Sequence, residues 1–115
     1  MSDLFGDRLV EAIERKAAPI CVGIDPIFEM LPDDLAGGDP SSRNANDHEA
    51  VIDAIFEFTT RVLRVVAPLV PVVKFQSAYF EKYLWEGVEA YYSLIQEAAE
   101  WEKVGIPYRV VYTDE

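Results

Sequence analysis

Ile20-Cys21-Val22-Gly23-Ile24 is a short apolar run, bounded by Pro19 before it and by Asp25-Pro26 after it. Because every position in the run is apolar, the pattern is typical of a parallel strand that is covered on both faces. Gly23 inside the run indicates that another group approaches the backbone closely. The run therefore predicts a first buried strand, in which Cys21 is a buried and inert thiol.

The segments around this run alternate between helix and strand patterns. Apolar residues recur at helical spacing over residues 2–16, 48–66 and 77–103, and Asp47 is the expected N-cap of the second helix. Short apolar runs at residues 70–75 and 110–112 predict two further strands. The order α-β-α-β-α-β is that of an α/β protein, in which the strands pair in parallel through right-handed crossovers.

The segment between the first strand and the second helix has a loop composition. Residues 32–47 contain two prolines, two glycines, two serines, two asparagines and four aspartates. This composition predicts a mobile loop. We expect residues 1–115 to form one domain that contains this loop.

Composition and charge exclude several classes of function. The chain has 115 residues, which is far below the roughly 250 that a complete (β/α)8 barrel needs. It carries 21 acidic and 10 basic residues, a formal net charge of −11, which disfavours binding to nucleic acids and to anionic membranes. One cysteine and one histidine argue against a zinc site. We found no signal peptide and no apolar run long enough to span a bilayer, so we expect a cytoplasmic protein.

Charged residues follow or interrupt the predicted strands. Asp25 follows the first strand, Lys74 interrupts the second, and Asp114 follows the third. Because ligands of parallel α/β folds meet the carboxyl ends of the strands, these three side chains are the candidate site residues. Lys74 carries most weight, since a lysine is rarely buried without a partner. The alternative is that they are ordinary charged residues, which are common where strands emerge into water.

Two stretches resemble a known family. Cys-Val-Gly-Ile-Asp-Pro at 21–26 resembles the first barrel strand of orotidine 5′-phosphate decarboxylases, in the bacterial subgroup with longer chains, where the motif Leu-Cys-x-Gly-x-Asp-Pro follows a short N-terminal helix. Val-Val-Lys-Phe-Gln-Ser-Ala-Tyr-Phe-Glu at 72–81 resembles the second strand of that family, usually Val-Lys-Pro-Gln-x-Ala-Phe-Phe-Glu. The two motifs occur in the family's order and are joined by the right elements, which makes the resemblance fairly specific.

The resemblance implies a fold and an activity. It implies the N-terminal part of a (β/α)8 TIM barrel, with three of the eight parallel strands. The family is a homodimeric carboxy-lyase of pyrimidine biosynthesis that converts orotidine 5′-monophosphate to UMP and CO2 without a metal or a cofactor. By position, Asp25 matches an aspartate that contacts the ribose, and Lys74 matches a lysine that contacts the ribose and holds a charged array together. Asp114 matches the first aspartate of the third-strand motif Asp-x-Lys-x-x-Asp.

The chain also departs from the family pattern. Phe75 stands where the family usually has proline, and the printed sequence ends at Glu115, where the proton-donating lysine would come next. We therefore expect the 115-residue chain to be catalytically incomplete and inactive alone. Two alternatives stay open. One is an inactive truncated product. The other is a small flavodoxin-like signalling module that binds Mg²⁺, although such a module usually has paired acids after its first strand and about five strands.

Overall fold

The computed structural model describes residues 4–103 and 109–113, and for Pro40, residues 101–103 and residues 109–113 it describes the backbone alone. Along these residues the elements are α1 (Phe5–Lys16), β1 (Cys21–Ile24), a 3-10 turn (Phe28–Met30), α2 (Asp33–Ala36), a 3-10 turn (Pro40–Ser42), α3 (His48–Val66), β2 (Val72–Gln76), α4 (Ala78–Glu81), α5 (Leu84–Lys103) and β3 (Arg109–Thr113). None of the helices within the described residues combines the length and the apolar character that crossing a bilayer requires.

The three strands form one parallel sheet in the order β1-β2-β3, so β2 is the central strand. Gly23 of β1 and Val111 of β3 flank Lys74 in the register. Helix α3 connects β1 to β2, and helix α5 connects β2 to β3. The predicted α/β order with three parallel strands is confirmed.

The core lies between the helices and one face of the sheet. Along β2 the side chains alternate, so that Val73 and Phe75 are fully buried while Lys74 is half-buried on the opposite face. Val73 and Phe75 pack with Leu63 of α3 and Ala98 of α5. A second cluster joins the two helices to the turns that follow β1 and β2, and it contains Phe28, Leu31, Val51, Ile55, Phe80 and Leu94.

Helix α3 begins where its sequence predicts. The Asp47 side chain accepts a hydrogen bond from the Ala50 amide (3.2 Å), which satisfies one of the amides that a helix N-terminus leaves unpaired. At its other end, Lys16 of α1 donates a hydrogen bond to the Ala67 carbonyl (2.7 Å), just beyond α3. Burial of this ammonium and the neighbouring Arg15 lower the pKa of Lys16. The contact fixes the C-terminal end of α1 against the C-terminal end of α3.

The prediction of one continuous helix over residues 77–103 is wrong, because the chain breaks between α4 and α5. Leu84 adopts a left-handed backbone conformation (φ 62°) at this break, which a residue with a Cβ rarely does. The break brings Gly87 directly against the Phe80 carbonyl, so closely that a Cβ on Gly87 would overlap the carbonyl oxygen. The apolar spacing continues through the break, and for that reason periodicity alone did not reveal it.

Two further expectations need correction. Cys21 is exposed, not buried, because β1 packs against the described helices on one face only, through Val22 and Ile24. Residues 32–47, where the composition predicts a loop, also contain two short helical turns. Whether this segment is mobile stays a prediction.

Candidate functional site

The site begins at the carboxyl ends of β1 and β2. Asp25 follows β1 directly and is exposed, and Lys74 lies in β2 opposite Gly23. Because side chains alternate along a strand, Gly23, Asp25 and Lys74 belong to the face of the sheet away from α3 and α5. Asp25 is two residues beyond the partner of Lys74, which corresponds to about 8 Å between the two Cα atoms for ordinary strand spacings.

The Lys74 side chain extends toward β1. A Cβ built on Gly23 would lie 3.8 Å from Lys74 Cε, an ordinary van der Waals distance. The group that approaches Gly23 is therefore the aliphatic part of the Lys74 side chain, and an alanine at position 23 would fit beside it. The glycine is not required by packing in the described structure, which differs from the expectation of an unusually close approach.

The structure brings Asp25 and Lys74 to one edge without joining them in an ion pair. Among the described residues no carboxylate oxygen lies within 4.0 Å of the Lys74 ammonium. An ammonium group offers three hydrogen-bond donors, so an open Lys74 can bind an anionic or hydroxyl-rich ligand on this face. Asp25 is therefore not the charge partner that a buried lysine needs.

The third candidate, Asp114, lies outside the described residues. The register extends to the end of β3, where Thr113 pairs with Gln76. Alternation also puts the half-buried Gln76 on the same face as Lys74, two residues further along β2. Sequence reasoning gave Gln76 no role. The alternation of side chains along β2, which places Lys74 on this face, also places Gln76 there and is the signal that could have identified it.

Sequence reasoning also missed Arg43, which lies in the segment after β1. Its side chain is only 4% exposed and its guanidinium reaches a carboxylate of Asp33 at 2.9 Å. It also donates hydrogen bonds to three backbone carbonyls, those of Phe28 (2.9 Å), Leu31 (2.6 Å) and Gly38 (3.1 Å). The only sequence signal is that Arg43 is the single basic residue in an acidic and polar stretch.

A groove of about 470 Å³ lies elsewhere, between α3 and α5. Phe56 and Trp85 line it together with four carboxylates, those of Glu49, Asp53, Glu86 and Glu89. Nevertheless, in the part of the chain that the structure describes, no group of three or more His, Cys, Asp or Glu side chains is arranged to hold a metal ion.

Curated relatives that share one name match the chain in sequence. No family model matches the chain. The orotidine 5′-phosphate decarboxylase of Caldicellulosiruptor saccharolyticus is 33% identical over 94 residues, which are 82% of this chain and 30% of the relative. The enzymes of the same name from Rhodopirellula baltica and from a Nocardioides species are each 37% identical, over 78 and 84 residues, which cover 68% and 73% of this chain and 24% and 26% of those proteins.

A solved structure agrees with these relatives. A crystal structure assigned as an orotidine 5′-phosphate decarboxylase from Streptomyces avermitilis superimposes with a TM-score of 0.70 at 26% identity, and the match covers 99% of this chain and 34% of that one. The chain spans about 30% of the length of the curated relatives that it matches. It therefore resembles the N-terminal portion of these proteins, and its three strands are the first part of a TIM barrel.

Proposed function

We propose that this chain is the N-terminal portion of a cytoplasmic orotidine 5′-phosphate decarboxylase, which converts orotidine 5′-monophosphate to UMP and CO2 without a metal or a cofactor. The observation that carries the proposal is that Asp25 and Lys74 lie on neighbouring parallel strands, on the sheet face that the described helices leave open. In parallel barrels this is the region where substrates bind. The relatives of that name support the same assignment.

The roles proposed here combine the chemistry of the reaction with the residue roles that the family resemblance implies. Loss of CO2 leaves a carbanion at C6 of the pyrimidine, and without an electron sink the protein must supply fixed positive charge and a proton there. In this proposal the Asp25 carboxylate accepts hydrogen bonds from the ribose hydroxyls. Lys74 contacts the ribose and balances the carboxylates of the site, of which Asp114 is one. The proton comes from a lysine two residues after Asp114, held protonated by the aspartates beside it.

A polypeptide of these 115 residues does not catalyse the reaction in this proposal. Its lysines are Lys16, Lys74, Lys82 and Lys103, and none of them follows Asp114. Lys16 is held on the Ala67 carbonyl, and Lys82 lies over the Tyr83 ring (5.3 Å). The polypeptide would therefore bind the ribose end of a nucleotide without protonating C6. We also propose that residues 1–115 belong to one barrel domain and that the whole protein is a homodimer.

Calorimetric titration with UMP tests the assignment. We expect weak binding that Lys74→Met or Asp25→Asn reduces by about tenfold each, the usual loss for one hydrogen bond to a charged group. Arg64→Met is the control, because it removes an exposed cation from α3, away from the strand ends. Equal losses in all three variants would contradict a specific site. Binding of Mg²⁺ in the absence of UMP binding would favour the flavodoxin-like module.

An activity assay tests the incomplete site. We expect no UMP from orotidine 5′-monophosphate with the purified 115-residue polypeptide. Detectable UMP formation that Lys74→Met abolishes would show that the proton comes from another group, and it would overturn this part of the proposal.

A further inference from the structure

A buried arginine closes the segment that follows the strand bearing Asp25. Arg43 Nη1 donates to the Phe28 carbonyl, Nη2 donates to the Leu31 carbonyl and to Asp33 Oδ1, and Nε donates to the Gly38 carbonyl. These four acceptors come from the 3-10 turn after β1, from α2 and from the glycine pair after α2. One side chain therefore joins three parts of the chain, the farthest of which lies 15 residues before Arg43 in the sequence.

The arrangement depends on the shape of arginine. A guanidinium has five donors in a planar fork and keeps its charge, whereas a lysine ammonium is a compact point charge with three donors. Because the Arg43 side chain is 4% exposed, water cannot replace its bonds to the carbonyls. The charge partner, Asp33, is 67% exposed, so the ion pair with it is weak. The hydrogen bonds to the carbonyls therefore compensate the buried guanidinium for its lost contacts with water.

Asp25 lies between two anchors, and Arg43 holds one of them. On the upstream side, Ile24 is 3% exposed and pairs with Phe75 of β2. On the downstream side, Phe28 is also 3% exposed, and its carbonyl accepts a hydrogen bond from Leu31 as well as from Arg43. Pro26, between the anchors, is buried and has a fixed φ. Asp25 therefore lies in a short connection that is buried at both of its ends.

We propose that Arg43 is a positioning residue for Asp25. It closes residues 28–43 into one hydrogen-bonded unit, and this unit holds the exposed Asp25 carboxylate at the end of β1. The contact between Asp25 and a nucleotide rests on the proposed function, whereas the closure of the segment by Arg43 does not. A closed segment is a different expectation from the mobile loop that the composition of residues 32–47 predicts.

Hydrogen exchange tests the closure independently of any ligand. In the full 115-residue chain, Arg43→Met should accelerate exchange at the Met30 and Leu31 amides, which donate to the Ile27 and Phe28 carbonyls, by about tenfold, the equivalent of one lost hydrogen bond to a charged group. Arg43→Lys should give an intermediate acceleration. The control is Arg15→Met, which removes an arginine that is 41% exposed and paired with Glu11 on α1. Exchange at these amides that matches the control would overturn the proposal.

A double-mutant cycle on UMP affinity separates positioning from general destabilisation. We expect Arg43→Met to weaken UMP binding about fivefold and Asp25→Ala about tenfold, with the double variant no weaker than Asp25→Ala alone, because Arg43 acts through Asp25. Losses that multiply would mean that Arg43 acts elsewhere and would overturn the proposal. If the wild-type chain binds no UMP, the proposed function fails, and the exchange at Met30 and Leu31 still decides whether Arg43 closes this segment.

Discussion

The substitution of threonine by valine should have different effects on stability at two adjacent positions of α3. Thr59 is fully buried, and its hydroxyl has no hydrogen-bond partner among the described residues. Thr60 is 5% exposed, and its hydroxyl donates to the Phe56 carbonyl at 2.8 Å. Valine has nearly the shape of threonine and a similar helix propensity, so each Thr→Val change tests the hydroxyl alone.

The expected magnitudes follow from the hydroxyl partners. A buried polar group without a partner costs about 1–3 kcal/mol, so Thr59→Val should stabilise the fold by about 1–2 kcal/mol. Thr60→Val removes one satisfied hydrogen bond, whose net contribution is about 1 kcal/mol, and the methyl group that replaces the hydroxyl is common to both variants. It should therefore be neutral or destabilise by up to about 1 kcal/mol. The two variants should differ by about 2 kcal/mol, which is roughly 10 °C in Tm for a domain of this size.

Thermal unfolding followed by circular dichroism measures the difference. Both variants and the wild type are compared at one protein concentration, because self-association also raises Tm. If Thr59→Val lowers Tm, or if both variants shift it equally, the Thr59 hydroxyl has a partner in the folded protein and the reasoning fails.

Three more changes have defined outcomes. Gly87→Ala should destabilise the fold by about 3 kcal/mol, since the new Cβ overlaps the Phe80 carbonyl. Its control is Gly6→Ala in α1, whose new Cβ meets no atom within 4 Å, so that this variant should be neutral or slightly stabilising. The midpoints of urea unfolding measure both effects. Leu84→Gly should raise the urea midpoint by the equivalent of about 1 kcal/mol, because Leu84 is 69% exposed and its left-handed backbone costs a residue with a Cβ that much. Cys21 should react with a thiol reagent in the folded chain as fast as after unfolding, and slower reaction in the folded chain would indicate that its face is covered.

The fold was largely accessible from the sequence because apolar periodicity reports which face of an element is buried. It predicted α3 and the alternation of helices and strands along the chain, and the residue type of Asp47 predicted the cap of α3. It did not predict the break at Leu84, because a left-handed leucine has no composition signal and the apolar spacing runs through it. Arg43 was missed for a related reason. Its importance comes from carbonyls that are distant in sequence, and a carbonyl is present at every position.

The wrong prediction at Cys21 and the candidate role of Lys74 have one physical origin. Both residues lie on the face of the sheet away from α3 and α5, which pack against Val22, Ile24, Val73 and Phe75 on the other face. A period of two separates the two faces, but it does not say what covers each of them. This face carries small or apolar residues (Cys21, Gly23 and Val72) beside polar ones (Lys74 and Gln76), so the sequence predicts a buried residue at Cys21 and a functional one at Lys74. A binding surface that later strands of a barrel surround has this mixed character. The face on which sequence reasoning gave conflicting answers is therefore the face where we place the nucleotide.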